Sequence, residues 1–209
     1  MPNWCNNVVE LTHNDPAMVE RARDAFKRGE MLNEFIPVPK DLKITAGFLA
    51  DTDKQKELED NEQSNLEKYG YKNWYDFCVG EWGTKWDIGG DDYNEPVIEN
   101  GQLMLCFDSA WSPPIDAYAK LCDLGFEVRA HYYEPGMGFC GTWDNGCDDF
   151  YDFGGCDSTT VVDAIGEELD EMFGISESMA EWEAENEEDE ELYNWVKDGA
   201  EAKKEVDEQ

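Results

Sequence analysis

Residues 5–29 read CNNVVELTHNDPAMVERARDAFKRG. The first third, 5–12, is rich in Val and alternates weakly, which predicts a strand. Asp15 followed by Pro16 is an N-cap followed by a first helical position. Met18, Ala22, Ala25 and Phe26 then recur at helical spacing, and Gly29 stops the helix. The chain therefore opens on a β-α unit.

Working outward from this unit, 30–50 is an apolar, Pro-punctuated crossover. Residues 51–70 are polar almost throughout and read as an exposed helix or a mobile insertion. Trp74, Phe77, Cys78 and Trp82 recur at helical spacing. Trp86–Ile88 and Gln102–Phe107 read as strands, with the turn-rich GGDDYNEP between them. Pro113–Pro114 open a second helix with Ile115, Tyr118, Leu121 and Cys122 on its apolar face, and Glu127–Tyr133 is a further strand. Met137–Trp143 and Phe150–Phe153 read as a hairpin around Asp144–Asn145–Gly146, because Asn-Gly supplies the positive φ angles of a tight turn. The order is β-α-β-β-α-β, the ferredoxin-like split β-α-β arrangement. The expected class is α+β: an antiparallel sheet with helices on one face, an extra hairpin, and an acidic C-terminal helical extension. The expected domain spans 1–160, with the polar insertion near 51–70, and the extension spans 161–209. In the extension, Val162, Ile165, Leu169, Met172 and Phe173 mark one helix, and Ser178 with Glu181 reads as the capping box of another.

Charge is the extreme feature. Fifty acids against sixteen bases give a formal net charge of −34 over 209 residues. A hydrophobic fraction of 41% with 13% aromatics nonetheless supports a folded core. Such a field repels nucleic acid and anionic membranes and attracts basic surfaces. No run is long and apolar enough to span a membrane. The start, MPNWCNNVVELTHND, lacks a basic and then apolar leader. The seven cysteines are irregularly spaced, so reduced thiols and a cytoplasmic location are expected.

The motifs that would carry catalysis are weak. Gly136, Gly138 and Gly141 match G-x-G-x-x-G, but a turn precedes and a strand follows, the wrong context for a dinucleotide. Tight hairpin packing is the expected role, and no cofactor is expected. Cys140, Cys147 and Cys156 lack the paired spacing of a zinc site. Asp144, Asp148 and Asp149 offer calcium-type oxygens without an EF-hand pattern, so no metal is expected. His131 near Cys140 is the one nucleophile-base pairing, beside the plainer reading of a structural histidine. Trp74, Trp82, Trp86, Trp111 and Trp143 are an unusual set. Core packing accounts for it, and the alternative is a partner-facing patch of Trp82, Trp86, Trp182 and Trp195.

From Glu181 to Glu191, eight of eleven residues are acidic: Glu181, Glu183, Glu185, Glu187, Glu188, Asp189, Glu190 and Glu191. As a helix this stretch spans roughly 16 Å, a length over which duplex DNA carries about ten charges. It is the expected partner-binding face, a nucleic-acid-like surface for a basic partner.

The segments MPNWCNN (1–7), EWGTKWD (81–87), FDSAWSPP (107–114) and GFEVRAHYYEPGMGFCGTW (125–143) resemble the YubB-type ferredoxin-like family of plasmid and phage proteins. The resemblance covers about 1–160 and implies a ferredoxin-like fold and a mobile-element setting. It transfers no catalytic residues. Charge and setting together lead to the expectation of a non-catalytic inhibitor. It would act in the host cytoplasm on a basic nucleic-acid-binding defence protein, such as a CRISPR complex or restriction nuclease, without touching nucleic acid itself. The alternative is a ferredoxin-like binding module for a protein or small ligand, with the acidity incidental.

Overall fold

A computed structural model describes residues 3–90 and 94–186. The chain divides into two compact units, Met1–Phe150 and Tyr151–Gln209. The second unit thus begins ten residues before the boundary read from sequence.

The protein is α+β, with a six-stranded antiparallel sheet. Its strands are β1 (Trp4–His13), β2 (Val97–Glu99), β3 (Gln102–Ala110), β4 (Phe126–Glu134), β5 (Phe139–Asp144) and β6 (Cys147–Asp152), in the order β2-β3-β1-β4-β5-β6. Central β1 pairs antiparallel with both β3 and β4, so that Val9 faces Leu105 on one side and Ala130 on the other. The period-2 alternation of a strand puts Val9, Leu11, Leu103, Leu105, Val128 and Ala130 into one core. Residues of α1 (Pro16–Lys27) and α5 (Ile115–Asp123) join it, as do Met31, Leu32, Phe77 and Trp82 from the segment between α1 and β2. As the sequence indicates, Asp15 caps α1 by accepting from the Ala17 N–H at 3.0 Å. Val19, Ala22, Ala25 and Phe26 form its buried stripe.

Between α1 and β2 lie α2 (Met31–Phe35), a 3₁₀ turn (Lys40–Leu42), α3 (Thr52–Tyr69) and α4 (Trp74–Trp82). The polar stretch is therefore a helix. Asp51 caps its start, Gly70 ends it in the left-handed conformation, and Asn65 ties it down by donating to the Asp41 and Lys72 carbonyls.

Trp86–Ile88 is not a strand. Asp87 instead caps α2, its carboxylate accepting from the Leu32, Asn33 and Ile88 N–H groups at 2.6, 2.9 and 2.9 Å. The second strand is Val97–Glu99, joined to β3 by Asn100–Gly101, both at positive φ. The same dipeptide at 145–146 turns β5 into β6, the hairpin the sequence indicates.

In the second unit, Gly166 (φ 87, ψ 157) splits the expected first helix into α6 (Val161–Ile165) and α7 (Glu167–Phe173). Residues 175–186 are helical. Ser178 does not cap this helix. Its N–H already bonds to the Gly174 carbonyl at 3.0 Å in the helical pattern, and the turn before it is held by Asp170, which accepts from the Ser176 N–H and hydroxyl. Among the described residues, no helix is long and apolar enough to cross a membrane.

Candidate functional site

Two tight loops of the first unit are latched together. Gly83, left-handed at φ 80, ends α4 and leads into Thr84, which is buried. The Thr84 hydroxyl donates to the Ala110 carbonyl at 3.1 Å and accepts from the Ala110 N–H at 3.2 Å. The Ser112 hydroxyl donates to the Gly83 carbonyl at 2.8 Å, and the Ser109 hydroxyl to the Ser112 carbonyl at 2.7 Å. Asp87 is anchored on α2 as described. Gly89 lies so close to Phe26 that a Cβ would overlap its carbonyl, and the Gly90 N–H donates to that carbonyl at 2.8 Å. The segment 83–90 is thereby fixed at both ends.

This fixes the side chains between the anchors. Lys85 holds its ammonium over Trp86 at 4.5 Å from the ring centre, over Trp111 at 5.4 Å and over Tyr75 at 5.8 Å. Trp4 stacks on Trp86 at 5.7 Å, and Tyr75 meets Trp111 edge-on at 6.3 Å. Trp4, Trp86 and Trp111 are 45%, 39% and 41% exposed. Each half-exposed indole is therefore an apolar face in contact with water, an arrangement typical of a contact surface. Trp111 also sits at φ 69, a left-handed conformation that is an outlier for a bulky residue. Its N–H donates to the Asn3 carbonyl at 2.9 Å.

The cluster lines three pockets that share wall residues, together a lobed groove. One lobe, about 420 Å³, is walled by Trp74, Trp82, Lys43, Lys85 and Trp86. A second, about 490 Å³, shares Trp74 and Lys85 and adds Tyr75, Lys72 and Trp111. A third, about 260 Å³, shares Trp86 and Asp87 and adds Trp4 and Asp108. Five of the chain's eight tryptophans thus converge on one groove, more than core packing asks for when three are half exposed. Buried Cys78 lies beneath, its thiol pushed up to about 12, chiefly by burial.

The sequence-derived site residues divide. Trp86 belongs to the groove. Trp82 does not serve as an exposed patch: it is 4% exposed and its indole N–H donates to the Ile36 carbonyl at 3.0 Å. Its ring is core, because α4 turns that face inward. Trp182, in the second unit, is 67% exposed, and Trp195 lies outside the described residues. Of the acidic face, Glu181 and Glu185 are exposed. Glu183 is engaged within its own unit, accepting from the Ser158 N–H at 2.9 Å and hydroxyl at 2.6 Å. Glu187, Glu188, Asp189, Glu190 and Glu191 lie outside the described residues. Spacing alone did not reveal Trp4, Tyr75, Lys85 and Trp111 as one cluster. The available signal was the excess of tryptophan and the adjacency of Lys85 to Trp86.

The other motifs are structural. Gly136 starts a turn in which the buried Glu134 carboxylate accepts from the Gly136 and Met137 N–H groups, and Gly141 lies in β5 under the Tyr132 hydroxyl and the Asp149 carbonyl. A strand follows the glycines, as expected. Cys140 is fully buried and burial pushes its thiol up to about 12, so it is protonated at neutral pH and a poor nucleophile. Asp148 accepts from the Tyr132 hydroxyl at 2.7 Å. Among the described residues, no three His, Cys, Asp or Glu side chains are grouped as metal ligands.

Fold and groove together define an α+β protein with an aromatic-walled groove. No protein-family model matches the chain, and no curated protein is similar enough to count as a relative. Among solved structures, the chain is similar to protein api92 from Yersinia pseudotuberculosis, of the family DUF1281. The likeness covers 75% of this chain and 99% of that one, at 12% identity and a TM-score of 0.40.

Proposed function

We propose that this chain is a non-catalytic binding protein whose first unit is a ferredoxin-like module and whose contact surface is the tryptophan groove. The fold assignment is supported by the order β2-β3-β1-β4, with α1 and α5 on the two crossovers, the split β-α-β pattern with a hairpin added at one edge. The observation that carries the functional reading is the convergence of Trp4, Trp86 and Trp111, half exposed, around Lys85. Tryptophan and tyrosine are enriched among the residues that dominate binding energies at contact surfaces. The buried, protonated Cys140 thiol favours binding over covalent catalysis.

A second reading is supported by the net charge of −34. In it the protein, from a phage or plasmid, inhibits a basic host nucleic-acid-binding defence protein in the host cytoplasm by presenting Glu181, Glu185 and the acidic run beyond them. The two readings separate in one experiment. The full chain is used to capture partners from host lysate at low and high salt, beside Lys85→Met/Trp86→Ala and a chain truncated before 176. The groove reading expects capture to be lost in the double variant and kept in the truncation, with little salt dependence. Capture lost only on truncation, and falling steeply with salt, refutes it in favour of charge mimicry.

A further inference from the structure

Three lysines face the groove, and none has a carboxylate within ion-pairing distance among the described residues. Lys43 lines the first lobe, Lys72 the second, and Lys85 both. Among the described residues of the same unit, Lys40 and Lys56 likewise have no ion pair, but neither faces the groove. Elsewhere in the same unit Arg21, Arg28, Lys27, Lys68 and Lys120 each pair with an acid. At Lys85 three aromatic faces stand where a carboxylate would otherwise be. A ring face stabilises an ammonium electrostatically without consuming its N–H donors. Those donors remain available to an anion from outside.

The acids on the same walls are partly committed. Asp87 spends its carboxylate on three backbone N–H groups of α2 and its own loop. Asp108 accepts from the Asn6 side chain at 2.6 Å. Glu30 pairs with Arg28 at 3.6 Å and Glu62 accepts from the Asn73 side chain at 3.3 Å, while Asp76 lines the second lobe beside Lys72 and Lys85. The groove therefore joins flat apolar faces to cationic donors among carboxylates that are mostly engaged.

We propose, resting on the reading of the groove as the contact surface, that it binds a nucleoside phosphate, with the base against the exposed indoles and the phosphate at Lys85 between Lys43 and Lys72. Indole faces stack bases with little regard to identity, and lysine binds phosphate as a point charge. Both larger lobes fall within the range of about 300–1,000 Å³ usual for small-ligand sites. The same chemistry is present at the end of a single-stranded nucleic acid. The molecule's charge discriminates between the two sources: a mononucleotide keeps its few charges beside the lysines, whereas a long strand carries many charges across an acidic body.

The test is calorimetric titration of the full chain with AMP and CMP, beside adenosine, inorganic phosphate, an oligonucleotide much longer than the groove, and an arginine-rich peptide. Both nucleotides are expected to bind at least about tenfold more tightly than adenosine or phosphate alone. Lys85→Met is expected to cost about tenfold or more, the loss of one charge-assisted contact. Trp86→Ala is expected to weaken nucleotide and nucleoside alike. Equal affinity for AMP and adenosine overturns the proposal, as does no nucleotide binding. Tighter binding of the oligonucleotide assigns the groove to strands, and binding of the peptide alone assigns it to a basic protein; either result overturns the proposal. If nucleotides fail while Lys85→Met/Trp86→Ala still loses partner capture, the ligand class is wrong and the groove remains the contact surface.

Discussion

Replacing Trp111 isolates the backbone strain beneath the groove. At φ 69, an L-residue with a Cβ pays about 1–2 kcal/mol relative to the right-handed region, and glycine pays none. Against this, glycine loses about 0.5–1 kcal/mol more backbone entropy on folding than alanine. Trp111→Gly and Trp111→Ala both delete the indole and both keep the N–H that donates to the Asn3 carbonyl. Their difference is therefore the backbone term. The glycine variant should be the more stable by about 0.5–1 kcal/mol, the reverse of the ordinary ranking. Trp111→Asn, which tolerates the left-handed region, should fall between them. Urea unfolding followed by near-ultraviolet circular dichroism reads this as a shift in midpoint at constant slope. An alanine variant as stable as the glycine variant, or more so, would show that the backbone at 111 is relaxed. It would also show that no backbone strain is stored beneath the groove. All three variants should lose groove binding, so stability and binding part company at this residue.

Gly141→Ala should destabilise by about 2 kcal/mol, because the new Cβ would lie 2.5 Å from the Asp149 carbonyl and closer still to the Tyr132 hydroxyl, which is held by Asp148; an unchanged urea midpoint would show that β5 can shift aside. Trp82→Phe should cost about 1–3 kcal/mol through the Ile36 carbonyl left without its donor; an unchanged midpoint in chemical denaturation would contradict it. Burial pushes the thiols of Cys5, Cys78 and Cys140 up from 9.0 to about 12. Thiols raised in the folded state favour folding fully below pH 9 and lose that contribution as pH rises toward 12, so the unfolding midpoint should fall over that window, and a flat profile would contradict it. At pH 8 a thiol reagent should spare these three cysteines in the native protein and reach exposed Cys106 and Cys147.

Local signals in the sequence survive where the structure is local. Asp15–Pro16 starts a helix because cap and first turn are adjacent in the chain. Asn145–Gly146 turns a hairpin for the same reason. The identical dipeptide at 100–101 was equally legible, and placing the second strand at Trp86–Ile88 obscured it. That segment has a strand-like pattern, but Asp87 is committed to the N-terminus of a helix some 55 residues earlier in the chain, a contact no window of sequence contains. Ser178 and Glu181 have the spacing of a capping box, yet the helix already begins before Ser178, after the left-handed Gly174 and the Asp170–Ser176 contact. The groove was legible only as ingredients. Trp4, Trp74, Lys85–Trp86 and Trp111 come from the start of β1, the start of α4, the loop after it and the end of β3. Sheet register and the latch bring them together, whereas composition alone shows only an excess of tryptophan.

The hydroxyl latch at Thr84 and Ser112 has a kinetic consequence. Because Gly83–Thr84 is bonded to Ala110 and Ser112, and Asp87 to α2, the two rims cannot open independently. A ligand of the proposed groove would meet walls already held together at these positions, which lowers the entropic cost of association. Binding should then be a single collision-limited step whose observed rate rises in proportion to ligand concentration, with no lag and no plateau.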